Sequence, residues 1–119
     1  MKIITLSKEE FDRFSNNHKY NTYYQSSNYA DFAVTNDQFN VHYLGFVDDE
    51  DDKLIGASLM LYKPLFWGYK YAYAPRGLLI DYENDSIVKK VSLALKKLLK
   101  KQKFIFILFH KAPLYIILI

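Results

Sequence analysis

Residues 54–62, Leu54-Ile-Gly-Ala-Ser-Leu-Met-Leu-Tyr, are apolar almost without interruption. An acidic cluster precedes them and Lys63-Pro64 follows. A run of this length without alternation reads as a central strand buried on both faces. Whatever fold the chain adopts must therefore cover both sides of that strand. Gly56 inside it predicts a bulge or a close backbone approach.

The flanking stretches read as partner strands. Residues 39–47 are rich in aromatic and β-branched side chains. Asp48-Asp-Glu-Asp-Asp52 between the two runs lacks the ligand spacing and the glycine of a calcium loop, so it reads as a solvated hairpin turn. Phe66-Trp67-Gly68 makes the next turn, with its aromatics expected to pack onto the sheet edge in preference to the alternative, contact with a lipid head-group region. Tyr69, Tyr71 and Tyr73 then alternate with Lys70, Ala72 and Ala74, the period of a strand. Pro75 ends regular pairing, and Gly77 is expected to free the backbone beside Arg76. By residue type Arg76 is a surface arginine in a turn. By position it stands at a strand end, where α/β folds tend to place ligand contacts.

The remaining elements follow from caps and periodicity. Residues 2–6 read as a short first strand. Ser7-Lys-Glu-Glu10 is a capping box opening a helix whose stripe is Phe11 and Phe14. Residues 18–26 read as a polar, tyrosine-rich loop. Ser27 or Asn28 is expected to cap a second helix over 29–35. Asp85 or Ser86 is expected to cap a long helix reaching about Gln102, buried along Ile87, Val88, Val91, Leu95, Leu98 and Leu99. Residues 104–109 read as a further buried strand. The order β, α, α, β, β, β, α, β argues a mixed α/β (α+β) layer fold with an antiparallel meander followed by a parallel crossover.

At 119 residues the chain has room for one small domain with a real core. Cysteine is absent, which rules out a disulfide scaffold and suits a reducing cytosol. No stretch reaches the ~20 apolar residues of a membrane span. The net charge of +3 hides an asymmetry. Residues 1–83 carry 8 Lys+Arg against 12 Asp+Glu, a net of −4, and residues 84–119 carry 8 against Asp85 alone, a net of +7. Lys89, Lys90, Lys96, Lys97, Lys100, Lys101 and Lys103 account for most of that excess. They form either a solvated helix face or a contact for phosphates, and the helix has too few acids to pair them internally. His18, His42 and His110 lie in separate segments and make no metal-ligand spacing, so each reads as structural or surface.

Three stretches, in order, resemble the Fem family. Tyr24-Gln25-Ser26-Ser27-Asn28-Tyr29-Ala30 is similar to its Gln-Ser-x-x-Trp-Ala segment, with Tyr29 where Trp is usual. Leu54-Ile-Gly-Ala-Ser-Leu-Met-Leu61 is similar to its second core strand. Tyr73-Ala-Pro-Arg-Gly with Asp81-Tyr82 resembles its Tyr-x-x-Arg-Gly-Pro-x-x-Asp-Tyr segment, with Leu78 in place of the proline. A lysine usual near positions 31–34 is replaced by Asp31-Phe-Ala-Val34.

The resemblance implies a cytoplasmic aminoacyltransferase of peptidoglycan and cell-wall biogenesis, in peripheral contact with the inner membrane face. It would move an amino acid from aminoacyl-tRNA to the stem peptide of a lipid-linked precursor. Aminoacyl-tRNA would be the co-substrate, with no further cofactor and no metal. Such a reaction needs anion contacts, for which Arg76, Lys63 and Lys70, with Tyr73, are our candidates for substrate binding; the phosphate reading of the long helix makes Lys89, Lys96, Lys97 and Lys100 the candidates for nucleic-acid contact. The resemblance also implies an acetyltransferase-like (GNAT) unit, two of which stand in tandem in the family.

The apolar stretch after Pro113, and the departure of Leu108-Phe-His-Lys-Ala-Pro-Leu-Tyr115 from the family pattern, lead us to expect a truncated or frame-shifted chain. Residues 1–107 would be an incomplete N-terminal Fem domain, inactive alone, and 108–119 a divergent tail; of its two options, pairing with the sheet or leaving an apolar edge open, we expect the open edge, and with it self-association of the chain. The alternatives are a non-catalytic binding fragment and a coenzyme A-dependent N-acetyltransferase. The last requires a glycine loop before the long helix, where this chain has Asp81-Tyr-Glu-Asn-Asp85.

Overall fold

The computed structural model describes the backbone of residues 1–110 and 114–118 and the side chains of residues 1–105. The elements in chain order are β1 (Lys2–Thr5), α1 (Lys8–Asn16), a 3-10 turn (Tyr23–Gln25) and α2 (Ser27–Asp37). Then come β2 (Asn40–Val47), β3 (Leu54–Pro64), β4 (Lys70–Ala74), α3 (Asp85–Lys101), β5 (Phe104–His110) and β6 (Leu114–Leu118).

The six strands form one sheet in sequential order. Every neighbouring pair is antiparallel except β4 and β5, which run parallel because α3 crosses between them.

As its unbroken hydrophobicity requires, β3 is covered on both faces. On one side Leu59, Leu61 and Ala57 pack with Tyr43, with Phe11 of α1 and with Ala30 and Ala33 of α2. On the other, Met60 packs with Phe46, Ala72 and Ala74 and with Val91, Leu95 and Leu99 of α3. Both expectations for Gly56 hold. A Cβ there would lie 2.6 Å from Ile80 Cγ2, and the β2–β3 register shifts beside it, between Phe46 and Val47.

Caps settle the helix ends. The capping box of α1 is formed, with Glu10 N–H donating to Ser7 Oγ and Ser7 N–H to Glu10 Oε1. The caps of α2 and α3 each fall earlier than expected, on Ser26 and Asn84. Their side-chain oxygens accept from Tyr29 N at 3.2 Å and Ile87 N at 3.2 Å. Asx and Ser caps need only an extended residue three positions before a free amide, and both sites offered several such residues.

Two expectations are corrected. Phe66 and Trp67 do not pack on the sheet edge; they are 59% and 86% exposed. Their turn closes on itself, with Leu65 N–H donating to Tyr69 O and Tyr69 N–H to Phe66 O, and positive φ at Trp67 and Gly68 aims it outward. The flank of β4 they would have covered is taken by β5. The final stretch does not leave β5's edge open. Its backbone forms β6, antiparallel to β5 from Phe106↔Leu118 to His110↔Leu114.

Candidate functional site

The end of β4 is held by more bonds than a surface turn requires. Gly77 N–H donates to Ala74 O and closes a tight loop after Pro75. Arg76, in the middle, has a left-handed backbone (φ 55°), which costs a non-glycine residue about 1–2 kcal/mol. The sequence assigned backbone freedom to Gly77. In the structure Arg76 carries the unusual backbone, and Gly77 serves close packing instead. A Cβ on it would stand 2.9 Å from Ser58 Oγ and 3.0 Å from Gln25 Nε2.

Gln25 is the main clamp and is fully buried. Its Oε1 accepts from Leu59 N at 2.8 Å, and its Nε2 donates to Leu59 O at 3.2 Å and Pro75 O at 2.9 Å. The 3-10 turn that carries Gln25 is tied to α1 by Ser15 Oγ, which donates to Gln25 O. On the far side of the loop, Tyr82 Oη accepts from Leu78 N at 2.7 Å and donates to Leu78 O at 2.8 Å. Leu79 and Ala57 exchange two backbone bonds. A loop fixed from three sides sustains the strain at Arg76.

The Arg76 guanidinium lies over the Tyr24 ring, 5.4 Å from its centroid. Tyr24 meets Tyr23 and Tyr29 edge to face at 5.8 and 5.2 Å, and Tyr29 stacks on Phe32 at 6.3 Å. Tyr23, Tyr24, Phe32 and Arg76 are exposed, while Tyr29 and Tyr73 are half-buried. Burial pushes the phenols of Tyr29 and Tyr73 up from their ordinary value. They therefore stay protonated at neutral pH and can donate hydrogen bonds. One permanent cation, phenol donors and open ring faces suit an anion joined to a flat or sugar-like group.

The other candidates lie elsewhere. Lys63 and Lys70 are at the opposite end of the β3–β4 ladder from Arg76, with β4, about 13 Å long by strand rise, lying between. Lys63 sits 4.4 Å over Phe39 on the α1–α2 side, with Tyr73 on the same face. Lys70 sits 4.8 Å over Phe104 on the α3 side. Lys89, Lys96, Lys97 and Lys100 are exposed along α3 and, among the described residues, form no ion pair. His42 stacks on Tyr62 at 4.8 Å, and burial, with Lys70 nearby, lowers its pKa. His18 Nδ1 accepts from Tyr20 N. The side chain of His110 lies outside the described residues. Among the described residues no group of three His, Cys, Asp or Glu could hold a metal.

The sequence reading took residues 18–26 for a loop and so missed Gln25 as a buried clamp. The signal was present in Gln25-Ser26 and in Tyr82, both inside recognised stretches.

The FemAB family model matches residues 6–116. The chain belongs to the FemAB family. It is 27% identical over 107 residues to the aminoacyltransferase FemA of Staphylococcus aureus, with the same figures in strains MW2, NCTC 8325 and COL. That match covers 90% of this chain and 25% of the relative, so the chain spans about a quarter of the curated relatives' length. A crystal structure of FemX shares the fold, with a TM-score of 0.73 at 20% identity, over 92% of this chain and 27% of that one.

The departures from the FemAB pattern have local consequences. Leu78 donates its N–H to Tyr82, a bond that proline in its place would lack. Asp31, in the region where a lysine is usual, pairs with Lys8 at 2.9 Å.

Proposed function

We propose that this chain supplies one acetyltransferase-like unit of an aminoacyltransferase. The enzyme takes an amino acid from aminoacyl-tRNA and adds it to the stem peptide of a lipid-linked peptidoglycan precursor at the cytoplasmic membrane face. FemAB membership and the FemA relative support the reading. One observation carries it: Arg76, at the end of β4, is held in a costly backbone conformation by Gln25 and Tyr82, beside an exposed tyrosine patch.

In this reading Arg76 and Tyr73 take the anionic part of the precursor, and Lys89, Lys96, Lys97 and Lys100 meet tRNA phosphates. Lys63 and Lys70 stand too far from Arg76 to share one anion with it. A stem-peptide amine attacks the ester carbonyl of the charged tRNA. The new C–N bond replaces the ester C–O bond, and the amine's proton passes to the departing ribose oxygen. Orientation of two bound substrates supplies much of such a rate. The segment leading into α3, residues 81–85, holds Asp81, Glu83 and Asp85 and no glycine, which speaks against the coenzyme A alternative.

The isolated chain is expected to bind the lipid-linked precursor in detergent and to give no aminoacyl transfer above a no-protein control. Arg76→Ala is expected to weaken that binding about tenfold or more, the loss of a charge-assisted contact. Turnover by the isolated chain would overturn the one-unit assignment. Precursor binding indifferent to Arg76→Ala would overturn the site.

A further inference from the structure

At the other end of β4 from Arg76, the turn of residues 65–69 presents Leu65, Phe66, Trp67 and Tyr69 to solvent, with Trp67 86% exposed. Phe66 and Trp67 support each other edge to face at 5.2 Å, so the tip is shaped rather than slack. Large aromatics held this far into water mark an interaction site.

The base of the turn is basic. Lys63 and Lys70 flank it on opposite faces of the sheet, their stems over Phe39 and Phe104. Lys103 enters from the α3–β5 turn. Its carbonyl accepts from Lys70 N, and its ammonium lies 3.8 Å from where a Cβ on Gly68 would stand. Eight acids stand at the opposite end of the sheet, in residues 48–52 of the β2–β3 turn and in Asp81, Glu83 and Asp85 around the start of α3.

We propose that residues 65–69, with Lys63, Lys70 and Lys103 around them, dock this protein on an anionic lipid bilayer. Tryptophan and tyrosine prefer the membrane–water boundary, where an apolar ring and a polar edge are both satisfied. Lysines at their base reach anionic headgroups, and the acidic end points away. A protein partner fits less well, because a convex tip of four side chains falls far short of the ~20 residues a standard interface uses on each side. The Arg76 patch stays clear of the bilayer, beyond the far end of β4, which is about 13 Å long by strand rise.

Trp67 is the only tryptophan in the chain, so its emission reports on the tip alone. With vesicles of equal parts phosphatidylglycerol and phosphatidylcholine, the emission is expected to shift to the blue and to resist acrylamide quenching. Phosphatidylcholine alone should give little shift. Lys63→Gln, Lys70→Gln and Lys103→Gln should each weaken binding about fivefold, and Phe66→Ser should weaken it further. Lys2→Gln, at the acidic end, should not. Emission that stays water-like with the mixed vesicles overturns the proposal. So does a blue shift that follows protein concentration without lipid, which would place a second copy on the tip. Equal binding to both vesicle types overturns the anionic commitment. No substrate enters the measurement, so its failure leaves the transfer reading standing.

Discussion

Gln25 shows how much one side chain decides in this protein. It is a polar residue with no exposed surface, and it satisfies the backbone of β3 and of the Arg76 loop together. Gln25→Ala leaves Leu59 N, Leu59 O and Pro75 O without that partner. A loss of about 2 kcal/mol or more is expected, read by urea denaturation. Gln25→Glu tests the same contacts by charge. A buried carboxylate facing two carbonyls has a pKa raised above about 4.3. A raised carboxyl pKa means that the unfolded state ionises first as pH rises. Gln25→Glu should therefore lose stability against the native chain above its unfolded pKa and regain it as pH falls towards about 4. A stability difference independent of pH would mean that the side chain leaves the clamp. Arg76 itself was visible in the sequence as a strand-end arginine. Its strained backbone was not, because the main clamp, Gln25, is 50 positions from the Pro75 carbonyl it holds.

Helix α3 and strand β6 carry the element-scale tests. Val91, Leu95 and Leu99 are buried as their spacing required, while Lys89, Lys96, Lys97 and Lys100 stand in solvent. If they meet tRNA, binding should fall steeply with salt, and replacing all four with Gln should flatten the log–log slope by up to about 3–4. An unchanged slope would leave them as a solvated face. For β6 the antiparallel pairing reverses one expectation. The apolar tail was expected to promote self-association, yet its backbone occupies the edge of β5. Truncation after Phe109 should now expose that edge and raise light scattering, with helical circular dichroism retained. Reduced scattering would show that the tail itself drives association.

At the scale of the whole molecule, the sequence by itself determined the layers. The unbroken apolar run of β3 demanded cover on both faces, the stripes of α1 and α3 supplied it, and the run β2, β3, β4 before a crossover helix fixed the meander and the parallel pair. These features are local, since period, cap and turn chemistry are written within a few residues of where they act. Three resembling stretches were also enough to point to the family that the match over residues 6–116 then established. Only the tertiary structure decided what depends on distant partners. It buried Gln25 out of an apparent loop, set Arg76 beside Tyr24, and moved Lys63 and Lys70 to the far end of the ladder. It also left Trp67 in water and gave the tail to β5. The burial of Gln25 and the placement of Arg76 on Tyr24 rest on contacts between segments far apart in the chain, and neither residue type nor spacing within one segment carries that information.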